Sequence, residues 1–462
     1  MASKITLYKL LRIGIDSNKK IAMKQILFYL SLIALVLTCA LTASCSEITD
    51  DSDLNGTVTL TTTVTMSQTT KALSEGGVKS FAKGDQIAVV YTNKSGNKVR
   101  AVSVALDDKD ISGTDSHLNK IATFSVTLTD PDRTKNATII YPAAMAKDDG
   151  SVNYDALYSS QDGTLAKIAS SFDYCTYTGA WNGSNLPTNV TLENQLALVK
   201  FTLKNKADAS ALSVNKLFVT AGGTTCEVTP GGATSELYVA VPAIASGRVT
   251  LTALSGSTYY DYLKTGVTLA QSQYYTISAS LTEVKSISNA REASLGRVVA
   301  ADRMMYASVE SATNAGTTAL AVIARMHAGI VHNDFTAIAV SDESSRLNWN
   351  NANNACNNKT PIGGATWQLP SVSLWEDMFW FNGGNEYNCT GLNTLITKAG
   401  GTALRTDGNG NYWTNTDDQD NDGYKCVIGI GGTGAAYEDS FTKDWERDVR
   451  AFLTFQGDYS IL

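Results

Sequence analysis

Short segments in which apolar and polar residues alternate dominate the chain from residue 57 onward, and they constrain the fold more than any other feature. Such alternation is typical of β-strands, because successive side chains of a strand point to opposite faces of its sheet. Helical periodicity is nearly absent before residue 290. The predicted strands are Thr57–Met66, Gln86–Thr92, Ala122–Leu128, Ala137–Pro142, Ala197–Leu203, Lys216–Ala221, Glu236–Pro242, Arg248–Leu254 and Tyr274–Leu281. They predict a mainly β protein with two β-sandwich domains before residue 290.

Composition excludes several classes of function. The chain of 462 residues is too long for one hydrophobic core, so several domains are expected. A net charge of -7 argues against a nucleic-acid partner, since phosphate binding needs clustered Lys and Arg. The three histidines, His117, His327 and His332, are too few and too scattered to indicate catalysis or zinc binding. Without a G-x-S-x-G, H-E-x-x-H or P-loop motif, we expect no enzymatic activity.

The N-terminus carries an export signal. The apolar run 26–41 follows Lys24 and is shorter than the roughly 20 residues of a membrane-spanning helix, as is typical of a signal-peptide core. Met23 is a candidate true start. The segment "LTASC" resembles a bacterial lipobox, with Cys45 as the lipidated residue. We therefore predict export into the periplasm and anchoring in the outer membrane through lipid. The alternative is a secreted protein in which Cys45 is incidental.

Five further cysteines follow Cys45, and no C-x-x-C motif is among them. An odd, widely spaced set fits neither a disulfide scaffold nor a zinc site. At most two disulfides can form, and buried free thiols are the alternative. The five are Cys175, Cys226, Cys356, Cys389 and Cys426.

The sequence pattern changes after residue 286, where helical periodicity appears in addition to the strand patterns. Trp349, Ala352 and Cys356 share one face of a predicted short helix. Ser373 and Glu376 have the spacing of a capping box at the start of a second helix. The apolar face of that helix would contain Leu374, Trp375, Met378 and Phe379. This region is therefore expected to have an α+β fold.

Several segments resemble a known family. "FAKGDQIAVVY" (81–91), "TIIYP" (138–142), "LENQLALVKFTL" (192–203) and "YYTISASLT" (274–282) resemble fimbrillins, the subunits of Bacteroidales type V pili. "LGRVVAADRMMY", "WQLPSVSLWEDM", "NYWTNT" and "VRAFLTF" resemble the C-type-lectin-like domain that follows the pilin domains in some fimbrillin-like proteins.

The resemblance implies a division of the chain into five parts. A signal peptide (1–44) precedes a lipidated acidic tether with an N-terminal strand (45–71). Two transthyretin-like β-sandwiches (72–186 and 187–285) follow, and a C-type-lectin-like domain (286–462) comes last.

The resemblance also implies a mode of assembly. Fimbrillins are exported as lipoproteins and then cut by a trypsin-like protease near the first strand. A strand of a neighbouring subunit fills the groove that the lost strand leaves. Here Lys71–Ala72 matches the position of the cut, although the family's cut often follows Arg. The alternative for Lys71 is an ordinary solvated lysine. The expected partners are thus other pilin subunits, joined by donor-strand exchange in a fimbria.

Two hypotheses about function stay open. In the first, the chain is the tip subunit, and its C-terminal domain binds a glycan or protein on a host or bacterial surface. In the second, it is an anchoring or capping lipoprotein without an external ligand. Trp349, Tyr412 and Trp413 are candidates for stacking against a sugar, and a position in the core is the alternative, favoured for Tyr412 and Trp413. The sugar-coordinating motifs of calcium-dependent lectins are absent.

The stretch 418–434 contains two familiar patterns. Asp418, Asp420 and Asp422 with Gly423 match the first half of an EF-hand loop, but Gly429 stands where its bidentate Glu belongs. A solvated acidic loop is the favoured interpretation, and a structural calcium completed from elsewhere is the alternative. No other cofactor is expected.

The second pattern is "GIGGTG", which matches the dinucleotide fingerprint G-x-G-x-x-G. That fingerprint must open a helix within a βαβ unit, and too little chain follows here to build one. We therefore predict that these glycines form a hairpin between two strands.

Overall fold

A computed structural model describes residues 56–66, 80–112, 120–172, 174–327 and 334–456, all within one compact unit. The protein is mainly β, which confirms the predicted fold class. None of the helices in those ranges is long and apolar enough to cross a membrane. The predicted signal peptide and the residues Cys45, Lys71, Ala72, His117 and His332 lie outside the described residues.

The first sheet has eight strands in the order β3-β2-β6-β7-β8-β1-β5-β4. Pairing between β7 and β8 is confined to two residue pairs, and the halves on either side of it face each other around one core. This is a β-sandwich. Its strands are β1 Thr57–Met66, β2 Ala88–Thr92, β3 Lys98–Val102, β4 Ile111–Ser112, β5 Ile121–Thr129, β6 Ala137–Tyr141, β7 Cys175–Gly179 and β8 Val190–Asn194.

The second sheet has seven strands in the order β11-β10-β13-β14-β15-β9-β12. Pairing is again confined to two residue pairs at one point, between β14 and β15. Its strands are β9 Leu196–Asn205, β10 Lys216–Ala221, β11 Thr224–Val228, β12 Glu236–Pro242, β13 Ile244–Ser255, β14 Thr258–Leu269 and β15 Tyr274–Glu283.

The two sheets share one topology. Apart from the short β4, the strands of the first sheet follow one another in space and along the chain as those of the second do. The directions also agree. In each sheet the first strand lies between an antiparallel neighbour (β5 or β12) and a parallel one (β8 or β15). The chain therefore contains a tandem repeat of one sandwich.

The change from one sheet to the other takes place around a single residue. Gln195 separates β8, which pairs with β7 and β1, from β9, which pairs with β12 and β15. The domain boundary proposed from the sequence at 186/187 stays a prediction, and β8 lies beyond it.

A third region combines strands and helices. Its larger sheet has the order β16-β18-β17-β19-β20-β25-β21, and its smaller one β22-β23-β24. The strands are β16 Lys285–Ser286, β17 Val298–Ala300, β18 Met304–Tyr306, β19 Ala319–Met326, β20 Phe335–Ala339, β21 Thr366–Gln368, β22 Gly410–Asp417, β23 Tyr424–Ile430, β24 Ala436–Thr442 and β25 Phe452–Phe455.

Helices are short throughout the described residues. Two helices lie between β6 and β7, and the second continues as a π-helical turn over Ile168–Phe172. The α-helices are α1 Tyr154–Ser159, α2 Leu165–Lys167, α3 Val309–Asn314, α4 Trp349–Asn357, α5 Val372–Gly383 and α6 Thr390–Lys398. Single 3-10 turns cover Asp108–Asp110, Ala143–Met145, Ile287–Asn289 and Glu292–Ser294.

Helices cover both faces of the third region's larger sheet. Strand β19 shows the result, because Val322 and Ala324 belong to the core beneath α5 and α6, whereas Ala321 and Ile323 belong to the core beneath α4. A strand that is buried on both sides needs apolar residues at every position, which explains the run "ALAVIA".

The structure confirms most of the predicted helical features and corrects one. Helix α4 begins at Trp349 and buries Ala352 and Cys356, as predicted. Helix α5 buries Trp375, Met378 and Phe379, but its N-cap is Ser371 rather than Ser373. The Ser371 hydroxyl accepts the N–H of Leu374 at 3.1 Å, so the predicted capping box is wrong by two residues.

Ion pairs join the second sheet to the third region. Asp261 on β14 is 1% exposed and accepts two hydrogen bonds from the guanidinium of Arg297, at 2.9 and 2.8 Å. A third comes from the N–H of Ala307 at 2.6 Å. Burial raises the pKa of Asp261, and the charge of Arg297 opposes that shift. A second ion pair, between Arg248 on β13 and Glu310 on α3, is half-buried.

The five cysteines after Cys45 are buried, and none of them forms a disulfide. Burial raises the pKa of Cys226 to about 12 and that of Cys389 to about 11. Thiols of this kind are poor nucleophiles, because the reactive form is the thiolate. Of the two alternatives left open by the sequence, the structure therefore has buried thiols without disulfides.

Candidate functional site

Strand β1 lies in the interior of the first sheet. It pairs with β5 antiparallel from Thr57 to Thr65, and with β8 parallel only from Val64 to Met66. A ten-residue strand that alternates threonine with apolar residues forms such a ladder readily, because β-branched side chains suit a pleated surface.

The two faces of β1 have different roles. Leu60, Val64 and Met66 point into the core and are 8%, 0% and 0% exposed. The opposite face is lined by threonines, and Thr59 and Thr63 hydrogen-bond to Thr127 and Thr123 of β5 at 2.9 and 3.2 Å. One face of β1 is therefore apolar and packs into the core, and the other face is polar.

One inward position of β1 is polar and satisfied. The Thr62 side chain is 1% exposed and its hydroxyl donates to the carbonyl of Pro187 at 2.7 Å. Pro187 has no N–H to offer a neighbouring strand, and Asn189 has a φ of +57°. These two residues end the pairing of β1 with the chain that leads into β8.

The segment that links β1 to the next described residue contains the predicted cleavage position. Residues 67–79, with Lys71 and Ala72, lie outside the described residues, so the cut stays a prediction. On the near side, the N–H of Met66 donates to the carbonyl of Lys120 at 2.9 Å.

The structure places two of the three predicted sugar-stacking residues in the core. Tyr412 and Trp413 are both 0% exposed, on opposite faces of β22, so neither ring presents a face to a ligand in solution. The indole N–H of Trp413 donates to the carbonyl of Leu347 at 2.8 Å. Of the two alternatives for these residues, the structure therefore has the favoured one, a position in the core.

The hydroxyl of Tyr412 belongs to a buried polar network. It donates to Asp342 at 3.1 Å and accepts the N–H of Arg405 at 2.9 Å. Asp342 also pairs with Arg450, a fully buried arginine, at 2.5 Å. Burial raises the pKa of Asp342, and the Arg450 charge opposes that shift. Because every member has partners, the network fixes the fold locally.

Trp349 is half-buried and already has cationic neighbours. The ammonium groups of Lys425 and Lys443 lie 4.4 and 5.4 Å from its ring centroid. Its indole N–H donates to the carbonyl of Thr414 at 2.8 Å. The structure therefore does not bring the three predicted stacking residues together on one exposed surface.

Hydrogen bonds within the acidic loop between β22 and β23 hold Asp418 in place, and the structural calcium stays a prediction. Asp418 accepts the N–H groups of Asp420 and Asn421 at 2.8 and 3.3 Å and the side-chain amide of Asn421 at 2.8 Å. Hydrogen bonds from Ser440 and Asn421 lower the pKa of Asp418 to about 2. No group of three or more potential metal ligands occurs among the described residues. The predicted ligands Asp418, Asp420 and Asp422 therefore do not converge on one point.

The glycine-rich stretch forms the predicted hairpin. Strands β23 and β24 pair from Tyr424 to Ile430, and Gly431 and Gly434 close the turn with a hydrogen bond of 2.9 Å. Gly434 has a φ of +80°, and a side chain at Gly429 would collide with the ring of Tyr437. These two glycines are needed for the turn and for close packing.

An open groove that the sequence did not reveal lies beside β19 and β20. Its volume is about 630 Å³, within the range of small-ligand sites, and its lining mixes polar and apolar groups. Lys359 pairs with Glu343 at 2.8 Å and lies 5.6 Å from the centroid of the Trp367 ring. Arg303 is exposed at the rim and has a φ of +69°, uncommon for a residue with a side chain. The only feature of the sequence near this groove is the pair of glycines in "PIGG", and glycines give no information about a ligand.

His327 is the one histidine within the described residues. Its Nε2 lies 3.0 Å from the hydroxyl of Thr336, and burial lowers its pKa. The charge of Arg325 lowers the pKa of His327 further, and those of Asp334 and Asp377 oppose the shift.

Comparisons with known proteins give partial likenesses. No family model matches the sequence, and no curated protein matches it. Among solved structures, a fimbrial assembly protein from Parabacteroides distasonis is 14% identical with a TM-score of 0.29, and covers 49% of this chain and 95% of its own. A fimbrial protein from Bacteroides ovatus is 12% identical with a TM-score of 0.24, and covers 87% of this chain and 100% of its own.

A minor pilin from Streptococcus agalactiae is also similar. It is 10% identical with a TM-score of 0.21, and covers 49% of this chain and 97% of its own. Structural similarity at such TM-scores does not establish what this chain does.

Proposed function

We propose that this chain is a subunit of a bacterial fimbria, assembled by the exchange of strand β1 for a strand of a neighbouring subunit. The observation that carries the proposal is the position of β1 between β5 and β8, with buried side chains at alternate positions. A strand with this pattern can be replaced by another strand of the same pattern, because main-chain hydrogen bonds do not depend on side-chain identity.

The energetics favour refilling once β1 has gone. Each of Leu60, Val64 and Met66 contributes about 1.5–3 kcal/mol through burial, so an empty groove is strongly unfavourable. The free edges of β5 and β8 would also expose unpaired N–H and C=O groups. A cut in segment 67–79 would leave β1 tied to the sheet by non-covalent contacts alone.

Limited trypsin digestion of the full chain tests this proposal. We expect cleavage within 67–79, loss of β1, and uptake of a synthetic peptide with the sequence of Thr57–Met66. A control peptide with aspartate in place of Leu60 and Val64 should not be taken up, since it would bury two charges. Retention of β1 after complete cleavage, without peptide uptake, would contradict the proposal.

A location at the cell surface is part of the proposal. It is supported by the signal-peptide pattern and the lipobox-like segment ending at Cys45. Mass spectrometry of the surface-exposed form separates the two processing states. An N-terminus at Ala72 indicates processing as a pilin, whereas an intact lipidated Cys45 indicates an anchored subunit.

Within a fimbria, we propose the tip position and an adhesive role for the third region. Strand β25 pairs with β20 on one side and β21 on the other, so it is not available for donation to another subunit. The groove of about 630 Å³ provides this region with a candidate ligand site. The alternative is an anchoring or capping lipoprotein without an external ligand.

Two measurements separate these roles. Antibody labelling should place this chain at fibre ends, and labelling along the shaft would overturn the tip position. A glycan array and matrix-protein binding by the full chain should give ligands that the groove variant Glu343→Gln binds less tightly. Uniformly negative binding would favour the structural role.

A further inference from the structure

Helix α5 carries two pairs of a carboxylate and an aromatic ring, offset by one residue. Asp377 precedes Phe381 by four positions, and Glu376 precedes Trp380 by four positions. Residues four apart lie next to each other on a helix surface. The helix therefore presents two neighbouring sites of the same chemistry.

The first pair is occupied by a cation of the chain itself. Arg325 on β19 forms an ion pair with Asp377, and its guanidinium carbon lies 5.7 Å from the centroid of the Phe381 ring. A guanidinium group against a carboxylate and a ring face gains from charge pairing and from the cation–π interaction. This arrangement shows what such a pair on α5 binds.

In the second pair the ring is exposed and the carboxylate is half-buried, and neither has a cationic partner among the described residues. Trp380 is 59% exposed, and Glu376 has no ion-pair partner among the described residues. Tyr387, which follows the helix, is 57% exposed. Large aromatic side chains with this exposure are typical of surfaces that bind a partner.

Further carboxylates surround the second pair. The N–H of Ala436 donates to the carbonyl of Tyr387 at 2.8 Å, which sets the chain after α5, with Glu386, beside the start of β24, the strand that carries Glu438. Burial, together with the charges of Glu386, Glu438 and Asp377, raises the pKa of Glu376. Neither Glu386 nor Glu438 has an ion-pair partner within the described ranges. Uncompensated negative charge next to exposed rings is complementary to a cationic side chain. We define the Glu376 face as Glu376, Trp380, Glu386, Tyr387 and Glu438.

We propose that the Glu376 face is a docking site for an arginine side chain of a partner protein, held as Arg325 is held by Asp377 and Phe381. The guanidinium stacks on Trp380 and pairs with Glu376, while Glu386, Glu438 and Tyr387 add negative charge and a second ring. The site uses residues outside the first sheet and outside the groove beside β19 and β20. It therefore does not depend on strand exchange or on adhesion through that groove.

Peptide binding to the full chain, solubilised in mild detergent with β1 intact, tests the proposal. The probe is a fluorescent peptide of alternating glycine and arginine, and the reference replaces each arginine with glutamine. We expect the arginine peptide to bind at least tenfold more tightly, with an affinity that falls as salt rises. Equal affinities for the two peptides would overturn the proposal.

Variants localise the binding. Trp380→Ala should weaken the arginine peptide about fivefold, and because it changes no charge, the loss does not reflect the net charge of the protein. Glu376→Gln should weaken it about threefold. The matched control is Trp445→Ala, because Trp445 is 57% exposed but already lies 4.9 Å from the guanidinium of Arg447. An equal loss in the control, or no loss in Trp380→Ala, would overturn the proposal.

A gain-of-binding variant keeps the test independent of folding defects. Arg325→Gln frees Asp377 and Phe381, which adds a second unoccupied pair beside the first. We expect about twofold tighter binding of the arginine peptide, and tighter binding cannot result from partial unfolding if the glutamine peptide is unaffected. Unchanged or weaker binding would contradict the assignment of Arg325 as the template.

Discussion

Strands β1 and β9 occupy the same place in two copies of one topology, yet they are held very differently. β9 pairs with β15 from Leu198 to Asn205 and with β12 from Leu196 to Thr202. β1 has a comparably long ladder with β5, but its ladder with β8 covers only Val64 to Met66. The same fold thus contains one strand secured on both sides and one secured mainly on one side.

The difference arises from β8 and β15, which are the last strands of the two sheets in chain order. β15 has ten residues, whereas β8 has five and follows Pro187 and Asn189. Proline cannot donate a ladder hydrogen bond, and the left-handed backbone of Asn189 interrupts the extended conformation that a ladder needs. A small local change in one partner strand is enough to leave the first strand of a sandwich secured mainly on one side.

The largest expected effect comes from tying β1 covalently to β5. Thr59 and Thr127 are opposite each other on the outer face, with hydroxyls 2.9 Å apart, so the double variant Thr59→Cys/Thr127→Cys can form a cross-strand disulfide. After trypsin cleavage, oxidised protein should release less than about a tenth of the β1 that unmodified protein releases. Non-reducing electrophoresis and mass spectrometry measure this retention.

Reduction provides the control for the disulfide. Added thiol should restore release of β1, and Thr59→Cys alone should behave as the unmodified chain. If β1 is retained equally with and without the disulfide, then β1 is held as firmly as β9. That result would contradict the proposed difference between the two strands.

A matched pair of core substitutions gives the next largest effect. Leu203→Ala in β9 should lower the free energy of unfolding of the second sheet by about 2–5 kcal/mol, the usual cost of a buried Leu→Ala change. Leu60→Ala in β1 should mainly accelerate loss of β1 after cleavage. Urea denaturation and peptide-exchange rates distinguish the two. A similar loss of global stability from Leu60→Ala, without faster exchange, would break the comparison.

Hydrogen exchange compares the strands without substitution. Amides of β1 should open locally because fewer ladder bonds hold them, so we expect protection factors about tenfold to a hundredfold lower than in β9. That range corresponds to about 1.4–2.8 kcal/mol. Mass spectrometry of peptides covering 57–66 and 196–205 measures it. Equal protection of both strands would contradict the proposed release of β1.

The individual strands were readable from the sequence, and their pairing was not. The bounds of β1, β10 and β12 match the alternating segments residue for residue, because one face of each strand is buried. β8 was missed because five residues after a proline give too short a pattern. The neighbours of β1 come from distant parts of the chain, and periodicity carries no information about them.

The C-terminal site residues show a second limit of sequence reasoning. Tyr412 and Trp413 lie on a strand that is buried on both faces, one in each core. Adjacent aromatic residues of this kind look the same in a sequence as a pair exposed for stacking. The spacing of Glu376 and Trp380 was visible on the predicted helix, but their exposure depends on which face the rest of the domain covers.

The smallest expected effect concerns the single buried hydrogen bond that joins β1 to the chain before β8. Thr62→Val keeps the shape of the side chain and removes the hydroxyl, leaving the carbonyl of Pro187 without this partner. Loss of such a bond costs about 1 kcal/mol, so β1 should leave the cleaved protein about fivefold more readily. Thr61→Val makes the same substitution on the exposed face and carries the same gain in β propensity, so it isolates the hydrogen bond. If both variants released β1 equally, the weak pairing with β8 alone would explain why β1 is removable, and Thr62 would have no part in holding it.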